Sequence, residues 1–166
     1  MLLHFAKLIF LFVVATICHW AFSSGFAIWG LSVNMLLVFV IALCAFCRPQ
    51  TGYPVAFLCG LFLDFFSTKL FGYNAFSFTV AALIVYSLAG RLDFEALVPQ
   101  MLSAFLLTIL VSVLNNMLVQ FFTASTIWAG WWNLVVGALI GTLTAPLVFM
   151  FVKRLLAEDE YYSGNY

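Results

Sequence analysis

The chain has very few charged side chains. Asp, Glu, Lys and Arg together make up 7% of its 166 residues, against about 25% in an ordinary soluble domain. None of these residue types occurs in residues 8–47 or in residues 96–152. A soluble domain needs far more polar surface than this composition supplies. The lack of charge therefore excludes an ordinary soluble globular protein.

The charges that are present balance, with six basic and six acidic residues and a formal net charge of zero. Proteins that bind nucleic acids neutralise backbone phosphates with clusters of Lys and Arg. So few basic residues, spread along the whole chain, cannot build such a surface. The sequence therefore predicts no nucleic-acid partner.

Residue sets that bind metals or perform catalysis are also missing. Cys44 and Cys47 have the spacing of a redox or metal pair, but no second pair of ligands accompanies them. His4 and His19 lie at opposite ends of one apolar segment and cannot share a metal. No Ser–His–Asp set and no phosphate-binding glycine loop is present. The sequence predicts no metal, no cofactor and no enzymatic activity.

Apolar residues, by contrast, account for 66% of the chain. A membrane-spanning helix needs about 20 apolar residues, so each of the two charge-free runs is long enough for two spans. We therefore predict an all-α integral membrane protein with one transmembrane domain, residues 1–156, and a short acidic cytoplasmic tail, residues 157–166. The six predicted spans cover residues 5–22, 27–47, 53–66, 74–90, 96–122 and 130–152.

Short polar segments separate the predicted spans. Residues 23–25 break the first span from the second, and residues 48–52 form a polar turn before the third. Lys153 and Arg154 end the sixth. The third span, residues 53–66, is short. This leaves open a five-span alternative, in which that segment enters and leaves the membrane on one face.

The basic residues favour six spans over five. Six spans place both termini on one face, together with five of the six basic residues, Lys7, Arg48, Arg91, Lys153 and Arg154, and leave only Lys69 opposite. Because Lys and Arg are enriched in cytoplasmic loops, both termini are predicted to be cytoplasmic. In this topology five tryptophans form an outer belt at the membrane–water interface, where Trp is favoured: Trp20, Trp29, Trp128, Trp131 and Trp132.

Asp64 is the one acidic residue embedded in an apolar segment. An ionisable group at membrane depth is costly and is therefore a candidate functional residue. Asp64 either lies in water near the outer end of its helix or is bonded locally, by pairing with Lys69 or by accepting hydrogen bonds from the Ser67-Thr68 turn. Three roles remain open: a structural one in that turn or in helix–helix packing, contact with a partner, or coupling to a proton or ion. Gly60 lies four residues earlier, on the same helical face.

Small and polar residues in the last two spans predict contacts between helices. Gly137 and Gly141 form a GxxxG motif that Ala145 continues, and such residues allow close helix packing in lipid. The packing is either within the chain or against another protein. The amides in this region either hydrogen-bond to another helix or line a small polar cavity: Asn115, Asn116, Gln120 and Asn133.

A glycine–aspartate–glycine pattern runs through the middle of the chain. It consists of Gly52, Gly60, Asp64 and Phe71-Gly72, followed by the apolar run at residues 75–88. Towards the C-terminus, a small-residue stretch leads from Asn133 to Pro146 and an apolar end closes on Lys153-Arg154. In this order, and with this length and number of spans, the chain resembles the MreD family of rod shape-determining proteins.

The resemblance implies a non-enzymatic scaffold subunit of the bacterial cell-elongation complex, located in the cytoplasmic (inner) membrane. Its direct partner would be MreC, and Gly60, Asp64 and Gly72 would shape the docking surface. The wider complex would include MreB, a glycosyltransferase and a class B penicillin-binding protein that build the lateral wall. The implied fold is similar to the substrate-binding subunits of energy-coupling-factor transporters, with six helices around a pocket.

Two other functions remain open. A small-solute, vitamin-type transporter subunit would use an amide-lined pocket formed by Asn116, Gln120 and Asn133. An intramembrane enzyme would need an acidic partner for Asp64 in another span, and the sequence offers none.

Overall fold

The computed structural model describes residues 2–27, 34–67, 70–89, 92–94, 96–123 and 131–163. Within these residues all regular structure is helical, as the sequence predicts. The six helices in the described parts of the chain are α1 (Leu2–Ala27), α2 (Met35–Phe46), α3 (Pro49–Phe66), α4 (Tyr73–Ala89), α5 (Leu97–Thr123) and α6 (Trp131–Ser163).

Helix α2 lies at the centre of the molecule. All of its residues from Met35 to Cys44 are buried. A helix that is apolar on every side is kept from water either by surrounding helices or by lipid. The other five helices all pack against α2, and they encircle it in the order α1, α3, α4, α5 and α6.

Aromatic contacts close this ring between α1 and α3. The rings of Phe12 and Phe62 pack edge to face with their centroids 5.2 Å apart. Trp20 packs in the same way against Phe66, at the end of α3, with a centroid distance of 6.3 Å. The central helix is therefore covered on the side where α1 and α3 meet.

A second aromatic cluster packs at the opposite end of the bundle. Phe149 of α6 lies between Phe46, at the end of α2, and Phe94, just before α5, with centroid distances of 5.9 and 6.3 Å. Phe94 and Phe149 are both buried. This cluster places the end of α2, the α4–α5 connection and the later part of α6 on one face of the molecule.

Large apolar side chains cover the outside of the helix ring. Phe57, Leu83, Leu106 and Leu143, on four different helices, are about half exposed or more. Exposed apolar surface of this kind is typical of contact with a membrane or with another protein. Among the described residues, two apolar stretches of 26 residues are long enough to cross a membrane, Leu97–Phe122 and Trp131–Leu156, and shorter apolar helices cover Lys7–Ala21, Met35–Phe46 and Tyr73–Ala89.

Two helices run through segments where the sequence predicts interruptions. Helix α1 continues through residues 23–25 to Ala27. Helix α3 begins at Pro49, inside the predicted polar turn, with Arg48 in an extended conformation before it. Proline is well tolerated in the first turn of a helix, since the N–H that it lacks has no helical partner there.

The bounds of α2 and α6 also differ from the predicted spans. Helix α2 begins at Met35, and the Asn34 side chain caps it by accepting the N–H of Leu37 at 3.3 Å. Residues 28–33, which the predicted second span includes, lie outside the described residues. Helix α6 continues past Lys153 to Ser163, because charged residues end an apolar stretch without breaking a helix.

Candidate functional site

A stripe of small residues on α3 faces α4. Gly52, Ala56, Gly60 and Asp64 follow one another at intervals of four residues, and all four are buried. Residues four apart lie on one face of a helix, so the spacing aligns them along a single seam. Sequence analysis identified the Gly60–Asp64 half of this stripe, and the same spacing extends it to Gly52 and Ala56.

Gly60 is the point where the backbones of α3 and α4 come into contact. A Cβ atom at this position would lie 2.5 Å from the Cα of Ala75 and 2.5 Å from the carbonyl oxygen of Asn74. Both are backbone atoms, which cannot move aside as the end of a side chain would. Only glycine fits here, and its absent side chain allows the start of α4 to lie directly against α3.

One turn later, Asp64 caps α4. Its Oδ1 accepts the backbone N–H of Asn74 at 3.1 Å and its Oδ2 accepts that of Ala75 at 3.0 Å. Asp64 is only 2% exposed. The first N–H groups of a helix have no partner within the helix, and a carboxylate there also interacts favourably with the helix dipole. Asp64 therefore fixes the start of α4 from the neighbouring helix.

The turn between α3 and α4 is shaped by Gly72. Its φ angle is +95°, in the left-handed region that side-chain-bearing residues rarely adopt. Its carbonyl oxygen accepts the N–H of Phe76 at 3.0 Å, within the first turn of α4. On the other side of the turn, the hydroxyls of Ser67 and Tyr73 lie 3.2 Å apart. The predicted pairing of Asp64 with Lys69 or Thr68 lies outside the described residues.

A side-chain network continues from this turn to α5. Asn115 donates from Nδ2 to the Oδ1 of Asn74 at 3.0 Å, and its own Oδ1 accepts the hydroxyl proton of Ser77. Asn74 thus bonds to Asp64 through its backbone and to α5 through its side chain. Sequence analysis overlooked Asn74 and Ser77. The available signal was two polar residues three positions apart near the start of a largely apolar helix.

The amides singled out for a polar cavity have separate surroundings. Asn116 donates to the carbonyl of Ser112 in its own helix at 2.9 Å. Gln120 is exposed on α5, and Asn133 is half-buried near the start of α6. Among the contacts of the described residues, Asn115 is therefore the amide of α5 that bonds to a neighbouring helix.

The GxxxG stripe of α6 faces the interior of the bundle. Gly137, Gly141 and Ala145 are all buried. A Cβ atom at Gly141 would lie 3.5 Å from Cγ2 of Val38 in α2 and 3.6 Å from Oγ1 of Thr108 in α5. The stripe lies where α6 packs against both helices, an arrangement that favours packing within the chain over contact with another protein.

A second contact fastens α3 to α4 at the opposite end of the hairpin. The Tyr86 hydroxyl lies 3.2 Å from the carbonyl oxygen of Cys47 and 3.3 Å from that of Arg48. Gly52 leaves the space for this tyrosine, because a Cβ there would overlap the hydroxyl. The α3–α4 hairpin is thus held by Tyr86 at one end and by Asp64 at the other.

This geometry defines what the site can do chemically. Both carboxylate oxygens of Asp64 accept backbone N–H groups, which favours the turn-organising role among the three that the sequence leaves open. Among the described residues, no group of three or more His, Cys, Asp and Glu side chains is placed to hold a metal. The turn presents exposed aromatic side chains instead: Phe65, Phe66 and Phe71.

Comparison with known proteins gives one match. The family model of the rod shape-determining protein MreD matches residues 1–155. No curated protein and no solved structure matches the chain significantly. The matched residues include the whole α3–α4 hairpin, the Asn115 network and the small-residue stripe of α6. Because the match covers essentially the whole sequence, the chain belongs to the MreD family of membrane proteins, which act in rod shape determination.

Proposed function

We propose that this chain is a non-enzymatic scaffold subunit of the bacterial cell-elongation complex. In this role it spans the inner membrane six times, binds MreC directly, and through MreC organises the glycosyltransferase and the class B penicillin-binding protein that build the lateral wall. The observation that carries the proposal is the locked α3–α4 hairpin. Gly60, Asp64 and Gly72 hold the turn and the start of α4 in one conformation. A surface that docks a partner needs such a fixed conformation.

The position of the chain ends supports an even number of spans. The Nζ of Lys7, near the start of α1, lies 3.5 Å from the carbonyl oxygen of Leu155, near the end of α6. The start of α1 and the end of α6 therefore lie on the same face of the bundle. Arg48 follows Phe46, which packs against Phe149 of α6, so this basic residue belongs to the same face. By the positive-inside rule that face is cytoplasmic.

The other residues that indicate the orientation are basic residues and tryptophans, and some of them lie outside the described residues. Arg91 and Lys69 lie outside the described residues, as do Trp29 and Trp128. The other three tryptophans of the predicted outer belt are all exposed, as expected for side chains at a membrane interface: Trp20, Trp131 and Trp132.

We place the MreC contact at the outer turn between α3 and α4. Phe65, Phe66 and Phe71 are 70%, 61% and 62% exposed there, and the rings of Phe65 and Phe71 pack edge to face at 5.3 Å. Exposed aromatic clusters are typical anchors in protein interfaces. The membrane anchor of MreC, or the chain just outside it, would pack on this cluster, while Asp64 acts indirectly by holding the turn.

A vitamin-type transporter subunit has weaker support. Such a subunit needs a pocket between its helices, yet buried residues of α2 occupy the centre of this bundle. Of the amides expected to line the pocket, Gln120 is exposed and Asn116 bonds within its own helix.

The test is an affinity pull-down of the tagged protein from detergent-solubilised native membranes, followed by mass spectrometry. Recovery of MreC, together with wall-synthesis enzymes and MreB, would support the scaffold function. Recovery of paired ATPases with a transmembrane coupling subunit would overturn it in favour of the transporter.

Paired variants then locate the contact. The Phe65→Ala/Phe71→Ala double variant removes two exposed rings of the turn and is expected to lose most of the MreC recovered by the parent protein. Leu83→Ala/Leu143→Ala removes two exposed apolar side chains of α4 and α6, and is expected to retain it. Equal recovery with both double variants would place the MreC contact elsewhere.

A further inference from the structure

Helix α5 extends well beyond the start of α4 at the outer end of the molecule. Asn115 bonds to Asn74 and Ser77, near the start of α4. Because α4 begins at Tyr73, Asn115 marks the height on α5 at which α4 begins. From there α5 continues to Thr123, a further rise of about 12 Å.

Helix α1 extends beyond the same turn on the other side. Trp20 packs against Phe66, the last residue of α3, and α1 continues to Ala27, about 10 Å further. In the ring around α2, the hairpin lies between α1 and α5. We call α3 and α4 together the short sector, because both neighbouring helices rise above it.

The outer end of α5 continues the apolar face of the rest of the helix. Six of its exposed large side chains lie on one face and recur every four residues, with one gap of seven between Leu110 and Met117: Val98, Leu102, Leu106, Leu110, Met117 and Phe121. Phe121 is 84% exposed and the adjacent Phe122 is 63% exposed. Since this single face includes the middle of the predicted span, the same lipid environment is the natural covering for its outer end.

The two sides of the molecule therefore present apolar surfaces of different lengths. The apolar stretch of α5, Leu97–Phe122, has 26 residues, or about 39 Å at 1.5 Å per residue. Helices α3 and α4 have 18 and 17 residues, or about 27 and 25 Å. A typical hydrocarbon layer is about 30 Å thick. The hydroxyls of Ser67 and Tyr73 mark the polar end of the short sector.

We propose that this protein holds the outer leaflet at two heights, with phospholipid acyl chains covering α5 as far as Phe121 and a thinned bilayer beside α3 and α4. A bilayer adapts its local thickness to the apolar length of the protein that it contacts. The proposal rests on the membrane-spanning arrangement proposed above. Its ligand class is the acyl chain of a membrane phospholipid, and its site is the lipid-facing side of the short sector.

The test measures the depth of spin labels in the bilayer. Single cysteines replace Phe71 at the turn, Phe121 at the end of α5 and Leu106 in the middle of α5, in a background carrying Cys18→Ser, since Cys18 is exposed. The full-length protein is labelled and reconstituted in phosphatidylcholine–phosphatidylglycerol vesicles. Accessibility to oxygen and to a water-soluble nickel complex gives each depth. The background protein without an added cysteine corrects for labelling of the other native cysteines.

The proposal expects the labels at positions 71 and 121 to lie at the same depth, at the edge of the hydrocarbon layer. A depth difference of about 9 Å, the rise of α5 from Asn115 to Phe121, with position 121 in water, would overturn it. Phe122→Cys repeats the measurement if the Phe121 variant does not fold. Position 106 should be deep in the hydrocarbon in either case. A water-exposed label at 106 would instead contradict the membrane-spanning arrangement itself.

Discussion

Asp64 and Asn74 join the end of α3 to the start of α4 through a helix cap supplied by a different helix, with Oδ1 of Asp64 accepting the N–H of Asn74 at 3.1 Å. A helix is usually capped by the side chain of the residue just before it. Here that position is taken by Gly72, which has no side chain to offer. The formation of α4 is therefore coupled to its docking on α3.

Replacing Asp64 tests this coupling. Asp64→Ala leaves the N–H groups of Asn74 and Ala75 buried without a partner, and we expect a loss of about 1–3 kcal/mol in the free energy of unfolding. Asp64→Asn keeps one acceptor oxygen, so its free energy of unfolding should lie between those of the parent protein and Asp64→Ala. Unfolding in mixed SDS–detergent micelles measures the difference, and Gln120→Ala on the exposed face of α5 is the control.

Membrane insertion of the Asp64→Ala protein should be normal, while its recovery of MreC should fall because the turn is no longer held. Parent-like stability together with parent-like recovery would remove Asp64 from the docking element.

Two glycines provide a matched test of helix packing. Gly60→Ala places a Cβ 2.5 Å from backbone atoms of α4, so overpacking should cost about 1–3 kcal/mol. In Gly141→Ala the nearest atoms are at ordinary contact distance, 3.5 and 3.6 Å. The better helix propensity of alanine should make that variant as stable as the parent or up to about 1 kcal/mol more stable.

Gly141→Leu extends the comparison within α6. Atoms beyond Cβ would overlap Val38 and Thr108, so we expect impaired folding or assembly. Thermal unfolding in detergent ranks the three variants. A destabilising Gly141→Ala would mean that α6 packs more closely here than these contact distances indicate. A harmless Gly141→Leu would show that α6 does not pack through this stripe.

Gly72 isolates the contribution of backbone conformation. A Cβ at this position would meet no atom of the described residues within 4 Å, so the strain that we consider comes from the left-handed φ. Gly72→Ala should cost about 1–2 kcal/mol, and Gly72→Asn less, because asparagine tolerates this region better. Thermal unfolding of both variants checks the order. Equal stability of all three proteins would mean that the turn adopts another conformation.

The Asn74–Asn115 hydrogen bond is suited to a double-mutant cycle. We expect Asn74→Ala and Asn115→Ala to show a coupling energy of about 0.6 kcal/mol, the mean for hydrogen bonds between membrane helices, and at most about 1.7 kcal/mol. Asn116→Ala is the matched control, since its amide bonds to Ser112 within α5. Its coupling to Asn74→Ala should be close to zero. Coupling through Asn116 instead would imply a rotated α5.

The sequence predicts the helices and the α3–α4 turn well for physical reasons. Long charge-free runs are compatible only with apolar helices, and the interruptions near residues 48 and 67–72 separate them. Gly60, Asp64 and Gly72 stand out because a buried acid and closely spaced glycines are unusual in such helices. The structure brings these three residues together at one end of the hairpin.

The contact with α5 is harder to predict. Helices that are apolar on every side carry no polar stripe to fix their rotation, so the sequence does not distinguish Asn115 from Asn116 as the residue facing α4. The sequence does not single out Asn74 and Ser77 either. Their partner Asn115 comes from α5, and the sequence does not show that α5 lies beside α4. The ends of α1, α3 and α6 differ from the predicted spans because serines, a proline in the first turn and charged residues do not by themselves end a helix.

The central position of α2 has a consequence for how the protein is made. The other helices bury every residue of α2 from Met35 to Cys44. Of the six described helices, α2 is the second to be synthesised, before four of the five that surround it. Its buried position is therefore reached only as the later helices leave the insertion machinery and pack around it.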